Sequence, residues 1–470
     1  MNNGMQRKYG LFTAICMVVG IVIGSGVFFK AQTVLQKTGG DMTTGILAWL
    51  IGGAIMLVCL LSFAFMGQKY EKVNGVVDYA EATVGPHYGY LMGWFTTTIY
   101  YPAMTGVLAW VTARYTLVFL NGVGMPLNNP GADPILGSEC MILALVFMAF
   151  SYAVNALSPK LAGKFQTSTT VIKLIPLGLM MVVGVAYGLI KGTLAENFQA
   201  VEAAQIAPAA SPLFGAVCAT AFAYEGWIIA TSINSELKDS KKNLPKALVA
   251  GGIIIAAVYI FYFVGVAGGA TTTQLMNDGA PVAFLNIFGS VFGNILNLFI
   301  AISCFGTLNG LMLGTSRGLY SVAVRGRGPA PKMFSKVDEN TDMPTNSSVV
   351  ALLVVAAWLA YFYFANLWSV TLPDGTSVAW TGKPFAFDSS ELPVITIYLM
   401  YIPIYLCWMI KEKSENALRR FIMPILAICG CTFMVVACVF SHQMSCAWYL
   451  ILFIVVMLIG WLVDAKNRKK

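Results

Sequence analysis

Three places in the chain combine residue types and spacing that could do chemistry. GIVIGSGVFF carries Gly20, Gly24, Ser25 and Gly26; AFAYEGW carries Glu225; and FQTSTTVIKLIPL carries Lys173. All three lie in otherwise apolar runs. Glycine costs about 1 kcal/mol per site relative to alanine in a helix, so Gly20, Gly24 and Gly26 so close together predict an interruption. Close helix packing through small residues, which Gly20 and Gly24 also satisfy as GxxxG, is the alternative. An ionised Glu225 at such a depth costs several kcal/mol unless it faces a cavity or a partner. Unwound backbone supplies both halves of what a zwitterion needs. Helix N-terminal N–H groups near Ser25 and Gly26 suit a carboxylate, and the carbonyls of the unwound strands suit an ammonium.

Other chemistry lacks its parts. Most of the ten cysteines lie in apolar stretches, where they read as small packing residues, and the two histidines, His87 and His442, are far apart with no CxxC or HExxH spacing. No metal and no cofactor are expected. A membrane-embedded enzyme would need a metal, or a nucleophile with its base, near the midplane, and a channel would need a continuous polar lining. A nutrient receptor would bind the same ligand with little flux, but no large soluble signalling domain accompanies these spans.

The elements that position these residues follow from composition. The 470 residues are 58% hydrophobic and 11% charged, with a mean hydropathy of +0.73, against roughly 25% charged residues in soluble domains. A span needs about 20 mainly apolar residues. Such runs recur near 8–37, 43–67, 88–120, 138–157, 166–190 and 212–236, then near 246–269, 289–324, 346–366, 391–410, 420–440 and 446–464. One all-α polytopic membrane domain of about twelve spans, covering 1–470, is the expectation. MNNGMQRKYG has no small-residue cleavage site after it and reads as retained. Lysines and arginines favour cytoplasmic loops, and here they fill alternate ones: Lys69 and Lys72, Lys160 and Lys164, Lys238 to Lys246, Arg325 to Lys336, Lys411 to Arg420, and both termini. Only Lys37, Lys191 and Lys383 fall in the opposite loops. Both termini are therefore expected in the cytoplasm. The net charge of +8 follows from this bias and calls for no nucleic-acid partner.

Interruptions at matching places in two halves point to an inverted-repeat transporter with its site at the midplane. The breaks lie in the first and sixth runs, which makes 8–190 and 212–410 the repeats and 420–464 the last two spans. GIVIGSGVF, FAYEGW, SELKDSKKNLPKAL and SCFGTLNGLMLGTSRGLYSVAVRGRGPAP, each in its place in chain order, resemble the amino-acid, polyamine and organocation superfamily, and within it the L-amino-acid transporter family. The similarity extends over residues 8 to 464. It implies a leucine-transporter-type five-plus-five inverted repeat with broken helices 1 and 6, alternating access without sodium, and a cell inner (cytoplasmic) membrane location.

The resemblance also implies roles. Gly24, Ser25 and Gly26 would bind the substrate carboxylate. The Val22 carbonyl, with those of Phe222 and Glu225 and with Ala223 beside them, would receive the amine. Phe222 matches the gating aromatic that folds over substrate, ordinary core being its alternative. Lys173 sits where relatives without sodium coupling carry a lysine that braces the first break against span 8; a snorkelling lysine is the alternative. Glu225 stands where many neutral amino-acid carriers have glycine. It could pair a cationic substrate, take a proton, or hydrogen-bond the opposing helices, and substrate charge stays open. Asn309 would line the pocket from span 8 or satisfy a neighbouring backbone group. Tyr100, Tyr101 and Thr105 could edge the pocket or be core, and Arg317 reads as structural. Eukaryotic relatives tether a glycoprotein through a cysteine between spans 3 and 4, where this chain has Cys140; with no large external domain, no obligatory protein partner is expected. The expected function is amino-acid exchange, with a proton-coupled symporter or a cationic amino-acid or polyamine antiporter as the alternative.

Overall fold

A computed structural model of the chain describes residues 10–70, 75–125, 137–157, 159–199, 211–230, 237–339, 341, 343–371 and 377–468. Among these the protein is almost wholly helical. Ten helices are long and apolar enough to cross a membrane, from Met42–Lys69 to Met444–Lys466. Two further apolar stretches are each cut in two: Leu11–Val22 with Gly26–Thr38, and Pro212–Tyr224 with Trp227–Ala230. The interruptions fall on GSG and on EG, where the glycines and the carboxylate predict them. Arg7, Lys8, Lys72, Lys469, Lys470 and the Ser235–Glu236 part of the SELKDS motif lie outside the described residues.

The eighth predicted span is preceded by a further helical stretch. Gly289, with φ 75° and ψ 177°, is non-helical and separates a short helical stretch that begins at Ala280 from the long span that follows it. Short helices at Val76–Thr83, Thr193–Gln199 and Thr272–Asp278, and a two-stranded hairpin pairing Ser369–Thr371 with Ser377–Ala379, also escape an analysis built on long apolar runs.

The chain forms two compact units. One comprises Met1–Met92, Gly188–Asn277 and Val394–Ser441; the other Gly93–Tyr187, Asp278–Pro393 and His442–Lys470. In the first, Ser240–Gly269 packs on Met42–Lys69 and on Leu11–Val22, while Pro212–Tyr224 packs on Gly26–Thr38 and Met42–Lys69. Both cut helices are thus held by one framework. Helix ends are closed by side chains, as buried backbone requires. Asn197 Nδ2 donates to the carbonyls of Ala267 and Ala270 at 2.7 and 2.9 Å, and its Oδ1 accepts from Thr272 N–H at 3.0 Å. Gln32 and Gln36 reach the Met276 carbonyl at 3.0 and 2.7 Å. In the second unit, Tyr101–Gly122 packs on Ala280–Ser316, Thr345–Phe362 and Ser138–Leu157, and Pro159–Leu179 packs on Ala280–Ser316.

At the polar ends of Met42–Lys69 and Leu392–Lys411, Glu412 accepts a hydrogen bond from the Tyr70 hydroxyl and pairs with Lys69. Burial alone would raise its carboxyl, but the hydrogen bonds from Lys69 and Tyr70 and the charges of Lys69 and Lys411 together hold it below the usual carboxylate range. A value depressed on folding adds stability above the unfolded value of about 4.3, and that stability is lost as pH falls through the folded value. Glu412→Gln is therefore expected to melt lower than wild type in detergent at neutral pH. The gap should begin to narrow as pH falls below about 4.3 and close once pH is below the depressed folded value.

Candidate functional site

The first break is short. Ile23 turns to an extended conformation (φ −66°, ψ 96°) after Val22, and Ser25 starts the next helix. The first N–H groups of Gly26–Thr38 then have no intrahelical acceptor, and the helix dipole places partial positive charge at the same point. Ser25 is 1% exposed, and its Oγ has no hydrogen-bond partner among the described residues. A buried hydroxyl without a partner costs about 1–3 kcal/mol, which a bound anion would recover.

The second break needs its glycine. Glu225 is extended (φ −75°, ψ 165°) and Gly226 takes φ of 100°, a region that side chains rarely adopt. The breaks lie together in one unit. A Cβ at Gly26 would stand 2.6 Å from Ala223 Cα, so only hydrogen there permits the approach. Phe222 is buried, edge-on to Phe29 with ring centroids 6.2 Å apart. Glu225 is also buried, and its carboxylate acts electrostatically on the Tyr398 and Tyr401 phenols of Leu392–Lys411.

One residue that sequence reasoning passes over joins the two breaks. Tyr259, fully buried on Ser240–Gly269, directs its hydroxyl to the carbonyls of Val22 at 3.0 Å and Ala223 at 2.9 Å. These are backbone groups at the C-terminal ends of both first halves, which lose their helical donors where the chain unwinds. Tyr259 sits in YIFYF, where tyrosine reads as core. Its only signal is that a buried phenol needs a partner.

The remaining predicted residues fall in the other unit. Lys173 is buried on Pro159–Leu179, one turn beyond Thr169, which lies so close to Gly306 that a Cβ there would stand 2.3 Å from the threonine Oγ1. Asn309 is buried, and Asn155 Nδ2 donates to its Oδ1 at 2.8 Å and its carbonyl at 3.1 Å. Thr105 Oγ1 lies 3.1 Å from Thr315 Oγ1. Arg317 ends the Ala280–Ser316 helix with its guanidinium 3.9 Å from Met343 Sδ. Cys140 is fully buried, with Sγ 4.0 Å from the Trp110 carbonyl. Much of the loop that precedes it, 126–136, lies outside the described residues.

Among the described residues no cluster of three or more His, Cys, Asp or Glu could hold a metal. His442 pairs with Glu391 at 3.0 Å, and the cysteines are free thiols. The chemistry within reach is recognition of a small charged or zwitterionic molecule by backbone.

Comparison with known proteins agrees. The chain is 29% identical over 456 residues to the serine/threonine exchanger SteT of Bacillus subtilis (strain 168), covering 95% of this chain and 94% of that protein. It is 27% identical over 420 residues to human large neutral amino acids transporter small subunit 2, covering 86% and 74% of the two chains. Mouse Asc-type amino acid transporter 1 is 27% identical over 345 residues, covering 72% and 62%. The family described as Amino acid permease matches residues 9–463, and with helices fit to cross a membrane many times over, this chain belongs to that family as a multi-pass membrane protein.

Proposed function

We propose that the protein exchanges amino acids across the cell inner membrane by alternating access without sodium, with no catalytic step. The observation that carries this reading is the pair of helix breaks brought to contact at Gly26 and Ala223, beside the buried and unpartnered Ser25 hydroxyl. On this reading the Gly24, Ser25 and Gly26 amides with the Ser25 hydroxyl take the carboxylate. The carbonyls of Val22, Phe222, Ala223 and Glu225 take the ammonium, and Phe222 closes over the substrate. Lys173 and Asn309 keep the parts that the resemblance implies, as the fixed charge replacing sodium and as a lining residue held by Asn155. The names of the relatives, which refer to serine, threonine and large neutral amino acids, support a neutral substrate.

The same reading makes 1–470 one transport domain of twelve spans, with repeats at 8–190 and 212–410, the last two spans at 420–464, and both termini in the cytoplasm. The distribution of elements supports it: the first two spans of each repeat share one compact unit, and the third and fourth of each share the other. A buried Cys140 supports a carrier that works without a tethered partner.

A second reading rests on Glu225, a buried carboxylate beside two phenols, which a proton could neutralise during transport. Uptake of labelled serine into sodium-free proteoliposomes separates the two. Exchange requires amino acid inside the vesicle, is indifferent to a pH gradient and persists in Glu225→Gln. Proton symport needs no internal amino acid, follows the gradient and disappears in that variant. Uptake that starts only when sodium is added overturns both.

A further inference from the structure

A charge with no role so far stands at the gate. Lys30 lies one helical turn beyond Gly26, and residues four apart share a helix face, so it extends the face of Gly26–Thr38 that meets Ala223. Its side chain is buried, with the residue 1% exposed. The ammonium lies over two aromatic rings, 5.2 Å from the Phe29 centroid and 5.4 Å from that of Phe222. Both distances fall within cation–π range, and the attraction grows when the cation is desolvated. Lysine is a costly residue to bury at this depth, and no packing need calls for one.

We propose that Lys30 is a specificity-determining residue that excludes amino acids with cationic side chains. The inference rests on the substrate site proposed above. Lys30 and the N-terminus of its helix both contribute positive potential, which favours the substrate carboxylate. A cationic side chain brought under Phe222 meets that potential and competes with Lys30 for the face of the same ring. Neutral side chains pay neither cost.

The test is competition against labelled serine uptake in serine-loaded, sodium-free proteoliposomes, using norleucine and lysine, which differ chiefly in side-chain charge. Norleucine should compete with wild type at least about tenfold better than lysine, given the attraction or repulsion of unit charges a few ångströms apart. Lys30→Met should bring the two close together, and Lys30→Arg should keep them apart. Lys30→Gln repeats the measurement should the methionine variant fail to insert. Lysine competing as well as norleucine in wild type overturns the inference. So does a neutral variant that exchanges serine with the ratio unchanged, or an arginine variant that narrows it as far as methionine does. Wild type that exchanges no amino acid at all overturns the site reading itself, which is a separate failure.

Discussion

Gly26→Ala is expected to reduce amino-acid exchange by about a hundredfold while the protein still inserts and purifies. The added methyl would stand 2.6 Å from Ala223 Cα and 3.2 Å from its Cβ. The obstacle is backbone, which cannot swing aside as the end of a long side chain can. Overpacking a close-packed interior costs about 1–3 kcal/mol, and 1.4 kcal/mol is about a factor of ten. The strain falls on the two breaks and parts them where substrate is proposed to sit. Gly178→Ala is the control, since a Cβ there meets nothing within 4 Å. Uptake of labelled serine with both variants at matched protein decides. Wild-type exchange in Gly26→Ala would mean that the contact of the two breaks does not form the site.

Lys173→Met should be nearly as severe, and for an electrical reason. The substitution keeps length and apolar stem and removes the charge from a position that is almost fully buried. Burying an ammonium costs several kcal/mol, so a lysine kept there for packing alone would be better replaced by methionine. Removing one partner from a buried charged interaction typically costs about 3–5 kcal/mol, equivalent to a hundredfold or more in rate or affinity. Exchange is therefore expected to fall by about a hundredfold. If Lys173→Met exchanges serine as wild type does in the absence of sodium, Lys173 has no part in coupling.

Both breaks were legible because glycine and a carboxylate are expensive in an apolar helix and leave a mark on its pattern. The long spans were legible for the converse reason: lipid leaves backbone polar groups no partner but each other, so apolar length alone defines a helix. What stayed hidden was recognition between segments distant in the chain. Tyr259 gives no sign in YIFYF that its hydroxyl serves carbonyls at positions 22 and 223. Nor does NALSP announce that Asn155 will hold Asn309. Lys30 follows two phenylalanines inside the first predicted span, and nothing local marks what its charge meets. Its burial depends on Phe222, far along the sequence. Residues 280–288 stayed hidden because they form a short helical stretch of their own, set off from the long span by the non-helical Gly289.

The Tyr259 hydroxyl has one proton and two carbonyl oxygens to serve. Between these three groups donors are outnumbered by acceptors, so either carbonyl is held by half a share. At the proposed substrate site a primary α-ammonium would bring three N–H donors to the same acceptors and turn shortage into sufficiency. An α-hydroxy acid brings one, and a tertiary amino group carrying two methyl substituents brings one when protonated. Counting donors alone therefore ranks the amino acid above both analogues, although all three carry the same carboxylate for the other half of the site.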